Sequence, residues 1–157
     1  MKGMKSLTKY EVFLPADYYE FYLQDEEAEG DLADSWDEEA VNRLLAITDG
    51  TIGVGTASDY DVVVGIDITD NEPDDNLKEW DKVNECSINI NSGKLVVAGG
   101  GEYFPDAKRI EVPKGTYRVR VYYSGLDELS EDRYGDEDYY KVALWLDSEY
   151  KPIKRLK

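Results

Sequence analysis

The chain has 157 residues and a formal net charge of −17 at pH 7, which is typical of one soluble acidic domain over residues 1–157. It has no histidine and a single cysteine, which excludes His-dependent catalytic triads, the usual metal centres and an internal disulfide. No segment approaches the roughly 20 apolar residues of a membrane-spanning helix, and no secretion signal is apparent, so we expect a cytoplasmic protein without membrane contact.

Alternating β-branched and aromatic residues predict about eight to nine short strands. The predicted strands cover residues 10–14, 18–23, 51–56, 60–68, 85–90, 94–98, 109–112, 116–123 and 139–146. Glycine, proline and asparagine between them are typical of turns. The pattern favours a mainly β protein built as a β-sandwich. An α+β roll, in which a helix covers one bent sheet, is the alternative fold.

One α-helix is predicted near residues 36–49, between the second and third strands. Ser35 and Glu38 have the spacing of a capping box, and the apolar residues that follow recur at helical spacing. Gly50 is the kind of residue that commonly follows a helix end. We expect this helix to pack on a sheet through Trp36 and Leu44.

Residues 109–123 are predicted to form a β-hairpin around the turn at 113–115, and residues 91–93 to form the loop of another. In the strand that follows residue 115, successive side chains point to opposite faces. We expect Tyr117, Val119, Val121 and Tyr123 on one face, and Arg118, Arg120 and Tyr122 on the other.

The same alternation identifies a candidate core. We expect it to include Trp36, Leu44, Val64, Ile88, Val119, Val121 and Leu144. In the last strand we expect Tyr140, Val142, Leu144 and Leu146 to share one face. Cys86 lies in phase with Ile88, which predicts a buried and unreactive thiol.

The negative charge is concentrated in segments. No basic residue occurs between Lys9 and Arg43, acidic loops are predicted near residues 24–35, 69–77 and 125–138, and a basic tail covers 151–157. Such a field repels nucleic acid and anionic lipid but attracts a basic protein surface. We therefore predict a basic protein partner and no nucleic acid; acidity that serves solubility alone is the alternative.

Candidate partner-binding residues come from these loops and from tyrosines opposite the core pattern. They are Asp25, Glu26, Glu27, Glu29, Asp127, Glu128, Glu131, Asp132, Tyr122 and Tyr139. Five aromatic residues have this opposite phase, namely Tyr18, Tyr22, Tyr122, Tyr139 and Trp145. On an exposed face they would anchor an interface, and packing against a second layer is the alternative.

No pattern in the sequence indicates catalysis. Residues 132–138 contain acids and a glycine, but Arg133 and Tyr134 interrupt the ligand positions of a calcium loop. The glycines at 53 and 55 lack the lysine of a phosphate-binding loop. With so many carboxylates, no single pair identifies a glycosidase. We expect no enzyme, no cofactor and no metal site.

Three segments together resemble the competence-J family, whose described member inhibits a bacterial DNA-processing nuclease. They are the predicted helix from Trp36 to Gly50 with its following strand, the turn segment 113–117, and the aromatic-rich strand 139–145, within residues 36–146. The resemblance implies a bacterial cytoplasmic protein that neutralises a nuclease or toxin by direct binding, as an inhibitor or immunity protein. A carbohydrate-binding or small-ligand module, or a phage-derived structural protein, is the alternative.

Overall fold

The computed structural model describes residues 6–127 and 138–157. The strands are β1 (Ser6–Pro15), β2 (Glu20–Asp25), β3 (Leu45–Thr48), β4 (Thr51–Gly55), β5 (Asp61–Thr69), β6 (Lys82–Ile90), β7 (Lys94–Gly99), β8 (Lys108–Glu111), β9 (Gly115–Ser124), β10 (Tyr139–Leu146) and β11 (Lys154–Arg155). A helix, α1 (Glu38–Arg43), and 3₁₀ turns at Asp17–Tyr19 and Phe104–Asp106 complete the described elements. No helix in these ranges is long and apolar enough to cross a membrane.

The strands form two sheets that pack face to face. One sheet has six strands in the order β1-β5-β10-β9-β6-β11, and the other has five in the order β3-β4-β2-β7-β8. Neighbouring strands run antiparallel apart from β5 and β10, which are parallel. The predicted mainly β sandwich is therefore confirmed, and the α+β roll is not the fold.

The core lies between the sheets. Phe21 of β2 meets Tyr140 of β10 edge to face, with ring centroids 5.7 Å apart, and Tyr123 packs on Tyr140 at 5.9 Å. The predicted core residues Val64, Ile88, Val119, Val121 and Leu144 are all buried, as is Cys86. Burial raises the pKa of the Cys86 thiol to about 12, consistent with an unreactive side chain.

Two of the predicted core positions, Trp36 and Leu44, are wrong. Both are only partly buried, because they lie on the connection between β2 and β3, where Leu44 packs against the edge of the core. Leu146, expected on the same face of β10 as Leu144, ends that strand at the rim of the sandwich with 51% of its surface exposed. The predicted alternation along β9 is confirmed, with Tyr117, Val119, Val121 and Tyr123 in the core.

Both predicted hairpins are wrong. β8 pairs with β7 in the five-stranded sheet, whereas β9 pairs with β6 and β10 in the six-stranded sheet. Residues 112–114 therefore cross from one sheet to the other, and residues 91–93 do the same between β6 and β7. The Tyr117 hydroxyl donates a 2.6 Å hydrogen bond to the Pro113 carbonyl and holds this crossing. Turn residues indicate a change of direction, but they do not specify which sheet receives the next strand.

The helix is much shorter than predicted. α1 contains six residues, and the Asp37 carboxylate, not Ser35, accepts the capping hydrogen bond from the Ala40 amide, at 2.9 Å. Residues 45–48 form β3, which pairs with β4 around the turn at Asp49 and Gly50. Gly50 has φ of +69°, so it serves a strand reversal and not a helix end. The hydrogen bonds and burial that residues 45–48 gain by pairing with β4 outweigh the helix that their spacing favours.

The outer face of the six-stranded sheet is covered around β6 and β9. The Glu85 carboxylate lies between two arginines, 3.1 Å from Arg118 and 2.7 Å from Arg120. Arg118 also donates to the carbonyls of Lys151 and Pro152. These bonds hold the basic tail, whose β11 pairs with β6. The tail thus folds back on the domain, and the buried arginines are satisfied on all sides.

The burial of two apolar side chains predicts a large loss of stability when one is truncated and a small loss when the other is. Ile88→Ala removes a side chain that is 1% exposed, so the free energy of unfolding should fall by about 2–5 kcal/mol. Leu146→Ala, which a core placement would make equally damaging, should cost less than about 0.5 kcal/mol. Urea unfolding followed by tryptophan fluorescence measures both. Equal losses for the two variants would contradict the placement of Leu146 at the rim.

Candidate functional site

A groove with aromatic walls lies at one end of the sandwich. Tyr18, Tyr19 and Val41 are 80%, 47% and 54% exposed, although each is apolar or aromatic. The groove has a volume of about 400 Å³ and is lined by Tyr18, Tyr19, Glu20, Trp36, Val41, Leu44, Gly55 and Thr56. We call it the tyrosine groove. Exposed apolar surface of this kind, bordered by polar residues, is typical of interaction sites.

The backbone is strained at this groove. Among the described residues, the non-glycine residues with positive φ are Tyr18 (63°), Tyr19 (61°) and Leu44 (63°). All three line the tyrosine groove. Left-handed backbone costs a bulky residue on the order of 1 kcal/mol or more and is found disproportionately at functional sites.

Hydrogen bonds from the end of β4 hold the strained residues side by side. The Thr56 amide donates to the Tyr19 carbonyl at 2.9 Å, and the Gly55 amide donates to the Leu44 carbonyl at 3.0 Å. The buried Tyr123 hydroxyl donates to the same Leu44 carbonyl at 2.6 Å. Two loops distant in sequence therefore meet at one strand end, and the groove is fixed before any ligand arrives.

The floor of the groove combines an indole ring with a carboxylate. Trp36 packs on Gly53, where an added Cβ would lie 2.9 Å from a ring carbon. Burial raises the pKa of Glu20, and a hydrogen bond that its carboxylate accepts from the Trp36 side chain partly offsets that rise. Within residues 9–127 and 138–157, no lysine or arginine forms an ion pair with Glu20.

Exposed acidic residues lie close in sequence to those that line the groove. Asp17 precedes the two tyrosines, and Asp37, Glu38 and Glu39 belong to the cap and first turn of α1; all four are exposed. Both walls from Tyr18 to Val41 belong to the interval without a basic residue. The groove is thus an apolar surface inside a negative field, which favours a cationic or basic ligand.

The predicted acids at 25–29 divide into structural and exposed residues. Asp25 is 4% exposed and accepts hydrogen bonds from the Ser92 amide at 3.0 Å and hydroxyl at 2.6 Å. Glu26 forms a 3.0 Å ion pair with Arg109. Asp25 therefore holds the crossing between sheets and cannot contact a partner, whereas Glu27 and Glu29 are exposed.

The second acidic segment is described only at its edges. Asp127 is exposed, while Glu128, Glu131 and Asp132 lie outside the described residues. The Asp138 carboxylate is buried and accepts hydrogen bonds from Ser58 and from the Tyr140 hydroxyl at 2.6 Å. Within the described ranges, no group of three or more metal-ligating side chains is placed to hold an ion.

Most of the proposed aromatic anchors are not free. Tyr122 is fully buried and donates a 2.6 Å hydrogen bond to Asp75, so its assignment to a partner surface is wrong. Tyr139 is partly buried and stacks on Trp80 at 6.1 Å, and Trp145 lies buried beneath Arg120. Tyr22 is partly buried. Tyr18 is the member of the set that the fold exposes.

The two acidic segments do not share one end of the molecule. Asp25 pairs with Leu95 near the start of β7, whereas Asp127 follows the end of β9, at the opposite end of the sandwich. The tyrosine groove lies at the Asp127 end, because the Ala57 amide, next to Thr56, donates to the Tyr140 hydroxyl near the start of β10. The acids near residue 25 and Asp127 therefore do not frame one face of the molecule.

Sequence reasoning missed the groove itself. No local sequence pattern indicates positive φ or exposure at Tyr19, Val41 and Leu44. The helical spacing instead places Leu44 on the apolar face of the predicted helix. The one available signal was the adjacent pair Tyr18 and Tyr19 directly after an acid, at a point where a strand was already predicted.

The contacts of Asp25 predict a stability difference between neighbouring acids. Asp25→Ala leaves the Ser92 amide without its acceptor, so unfolding should become easier by about 1–3 kcal/mol. Glu27→Ala removes an exposed charge and should change stability by less than about 0.5 kcal/mol. Chemical unfolding of both variants measures the difference. Two equally stable variants would contradict a structural role for Asp25.

The exposure of Tyr18 in the groove predicts that its side chain contributes little to the stability of the fold. Tyr18→Asn removes a mostly exposed ring, and asparagine tolerates the left-handed backbone better than tyrosine does. The free energy of unfolding should stay the same or rise by up to about 1 kcal/mol. Thermal and urea unfolding check this. A clear loss of stability would show that Tyr18 serves packing and not binding.

No protein-family model and no curated protein sequence matches this chain. Two solved structures share its fold along nearly the whole length. ComJ, an inhibitor of the DNA-degrading activity of NucA from Bacillus subtilis, superposes with a TM-score of 0.66 at 16% identity, covering 93% of this chain and 100% of ComJ. A protein described as crocagin biosynthetic gene J superposes with a TM-score of 0.61 at 21% identity, covering 93% and 99%. The resemblance to the competence-J family is thus confirmed, and it is a likeness of fold.

Proposed function

We propose that this protein binds a basic nuclease, or a toxin of similar chemistry, and inhibits it by direct contact in the cytoplasm of a bacterium. The observation that carries the proposal is the fold shared with ComJ over 93% of the chain. The net charge of −17 supports it independently. The chain acts as a binding protein and not as an enzyme.

The physical basis is charge complementarity. A nuclease presents positive potential to the phosphates of its substrate, so a negative protein can occupy the same surface. Long-range attraction raises the association rate, while contacts that exclude water supply most of the affinity. Here the exposed acids around the groove provide the attraction, and the exposed aromatic walls provide apolar contact area.

The acids contribute unequally in this proposal. Asp17 and Glu39 are exposed and lie close in sequence to the groove residues Tyr18 and Val41, and Asp127 lies at the same end of the sandwich, so we assign the three acids to the contact surface. Glu27 and Glu29 lie on the connection that follows β2, and we assign them to long-range attraction. Glu128, Glu131 and Asp132 follow Asp127 in sequence and extend the same acidic segment.

The test uses nucleases and toxins encoded beside this gene. Each is purified and its cleavage of duplex DNA is measured with increasing amounts of this protein. We expect stoichiometric inhibition of one basic enzyme, with association that slows as salt rises. No inhibition of any of them, together with saturable binding to a glycan array, would favour the carbohydrate-binding alternative.

Charge variants locate the contact surface once inhibition is found. The double variant Asp17→Asn with Glu39→Gln and the matched double variant Glu27→Gln with Glu29→Gln each remove two negative charges. At low salt both should slow association, and the groove variant should slow it several-fold more. Stopped-flow binding measures both rates. Equal rates for the two variants would contradict a contact surface at the groove.

A further inference from the structure

We propose that the tyrosine groove is a receptor for an arginine side chain that the partner presents. The inference rests on the proposed function, because it names the chemistry by which the partner is recognised. Its physical basis is that aromatic walls occur in one cleft with a carboxylate that forms no ion pair with any described residue.

The groove offers both parts of a cation-binding pocket. Tyr18, Tyr19 and Trp36 bring aromatic rings to one cleft, and Glu20 is the carboxylate that lines it with them. A cation over an aromatic face is attracted by the ring quadrupole, and the attraction strengthens when water is excluded. Glu20 has a hydrogen bond with the Trp36 side chain but forms no ion pair with a described lysine or arginine, so a cation from outside can pair with its carboxylate.

The remaining lining residues favour arginine over lysine. Val41 and Leu44 make part of the wall apolar, which suits a long aliphatic stem. The guanidinium group is planar, stacks on aromatic rings and holds its water weakly, whereas the lysine ammonium is compact and strongly hydrated. The apolar, aromatic and acidic lining residues therefore suit the stem and the guanidinium group of an arginine.

The groove is also built in advance of binding. Tyr18, Tyr19 and Leu44 keep left-handed backbone in the protein alone, and the hydrogen bonds from Gly55 and Thr56 hold the carbonyls of Leu44 and Tyr19 in place. Little ordering remains when a ligand enters, and preorganised sites bind more tightly for that reason. A strained arrangement of exposed aromatic residues is otherwise a cost without a structural return.

The first experiment needs no partner. N-acetyl-L-arginine amide is titrated into the ¹⁵N-labelled protein, with N-acetyl-L-lysine amide and N-acetyl-L-norleucine amide as controls. With the arginine compound we expect saturable chemical-shift changes of the Trp36 indole and of the Gly55 and Thr56 amides, with a dissociation constant in the millimolar range. The other two compounds should cause weaker changes. Trp80 and Trp145 lie outside the groove, and their indole signals serve as internal controls.

Variants test whether the arginine compound binds in the tyrosine groove and whether Glu20 selects it. Glu20→Gln keeps the shape and removes the charge, so the preference for arginine over norleucine should fall several-fold, with the aromatic rings retaining part of it. Phe13→Ala removes another exposed aromatic ring, on β1, and should leave the titration unchanged. Absence of saturation, or equal shifts with norleucine amide, would overturn the proposal.

The second experiment uses the nuclease that the inhibition assay identifies. Tyr18→Asn and Glu20→Gln should each raise the dissociation constant about tenfold or more, and Phe13→Ala should not. Inhibition that persists unchanged in both groove variants overturns the arginine receptor while the inhibitor function stands. Failure to inhibit any nuclease, combined with arginine binding in the titration, overturns the inhibitor function while the receptor stands.

Discussion

The hydrogen bond from the Tyr123 hydroxyl to the Leu44 carbonyl joins the two halves of this structure. Tyr123 lies in the core on the six-stranded sheet, and Leu44 ends α1 at the edge of the five-stranded sheet, so the 2.6 Å bond crosses between them. The same carbonyl accepts from Gly55. Without this acceptor the Tyr123 hydroxyl would keep the hydrogen bond that it accepts from Asn84 but would lose the partner of its own proton, which is costly in a low-dielectric interior. The core thus dictates the conformation of a surface loop, and that loop forms one wall of the groove.

Acidity has more than one role in this chain. Asp25, Glu85 and Asp138 are buried and hold structure through Ser92, two arginines and Tyr140. Among the exposed acids near the tyrosine groove, Asp37 caps α1, whereas Asp17 and Glu39 are exposed and lie close to other acids, and like charges close together do not stabilise a fold. The net charge of the chain therefore overstates how many carboxylates are available to bind a partner. The distinction depends on which carboxylates have partners inside the molecule.

The comparison with ComJ and with the crocagin-associated protein indicates how far fold and surface diverge. At 16% and 21% identity the backbone arrangement is retained, although side chains that contact a partner are free to differ. Binding specificity resides in a site placed on a fold, and not in the fold itself. The aromatic groove is a property of this sequence, read from its own residues.

The sequence by itself determined the strands, their inward faces and the excess of acid, because period-two alternation and residue charge are local properties. The strand at Val64 and the alternation from Tyr117 to Tyr123 were predictable for this reason. Only the tertiary structure decided which sheet each strand joins, since the turns at 91–93 and 113–115 look identical to hairpins. Residues 45–48 were predicted as helix but form β3, because pairing with β4 outweighs local propensity. Leu44 has left-handed backbone because its carbonyl accepts hydrogen bonds from distant residues. The groove exists only through those long-range contacts.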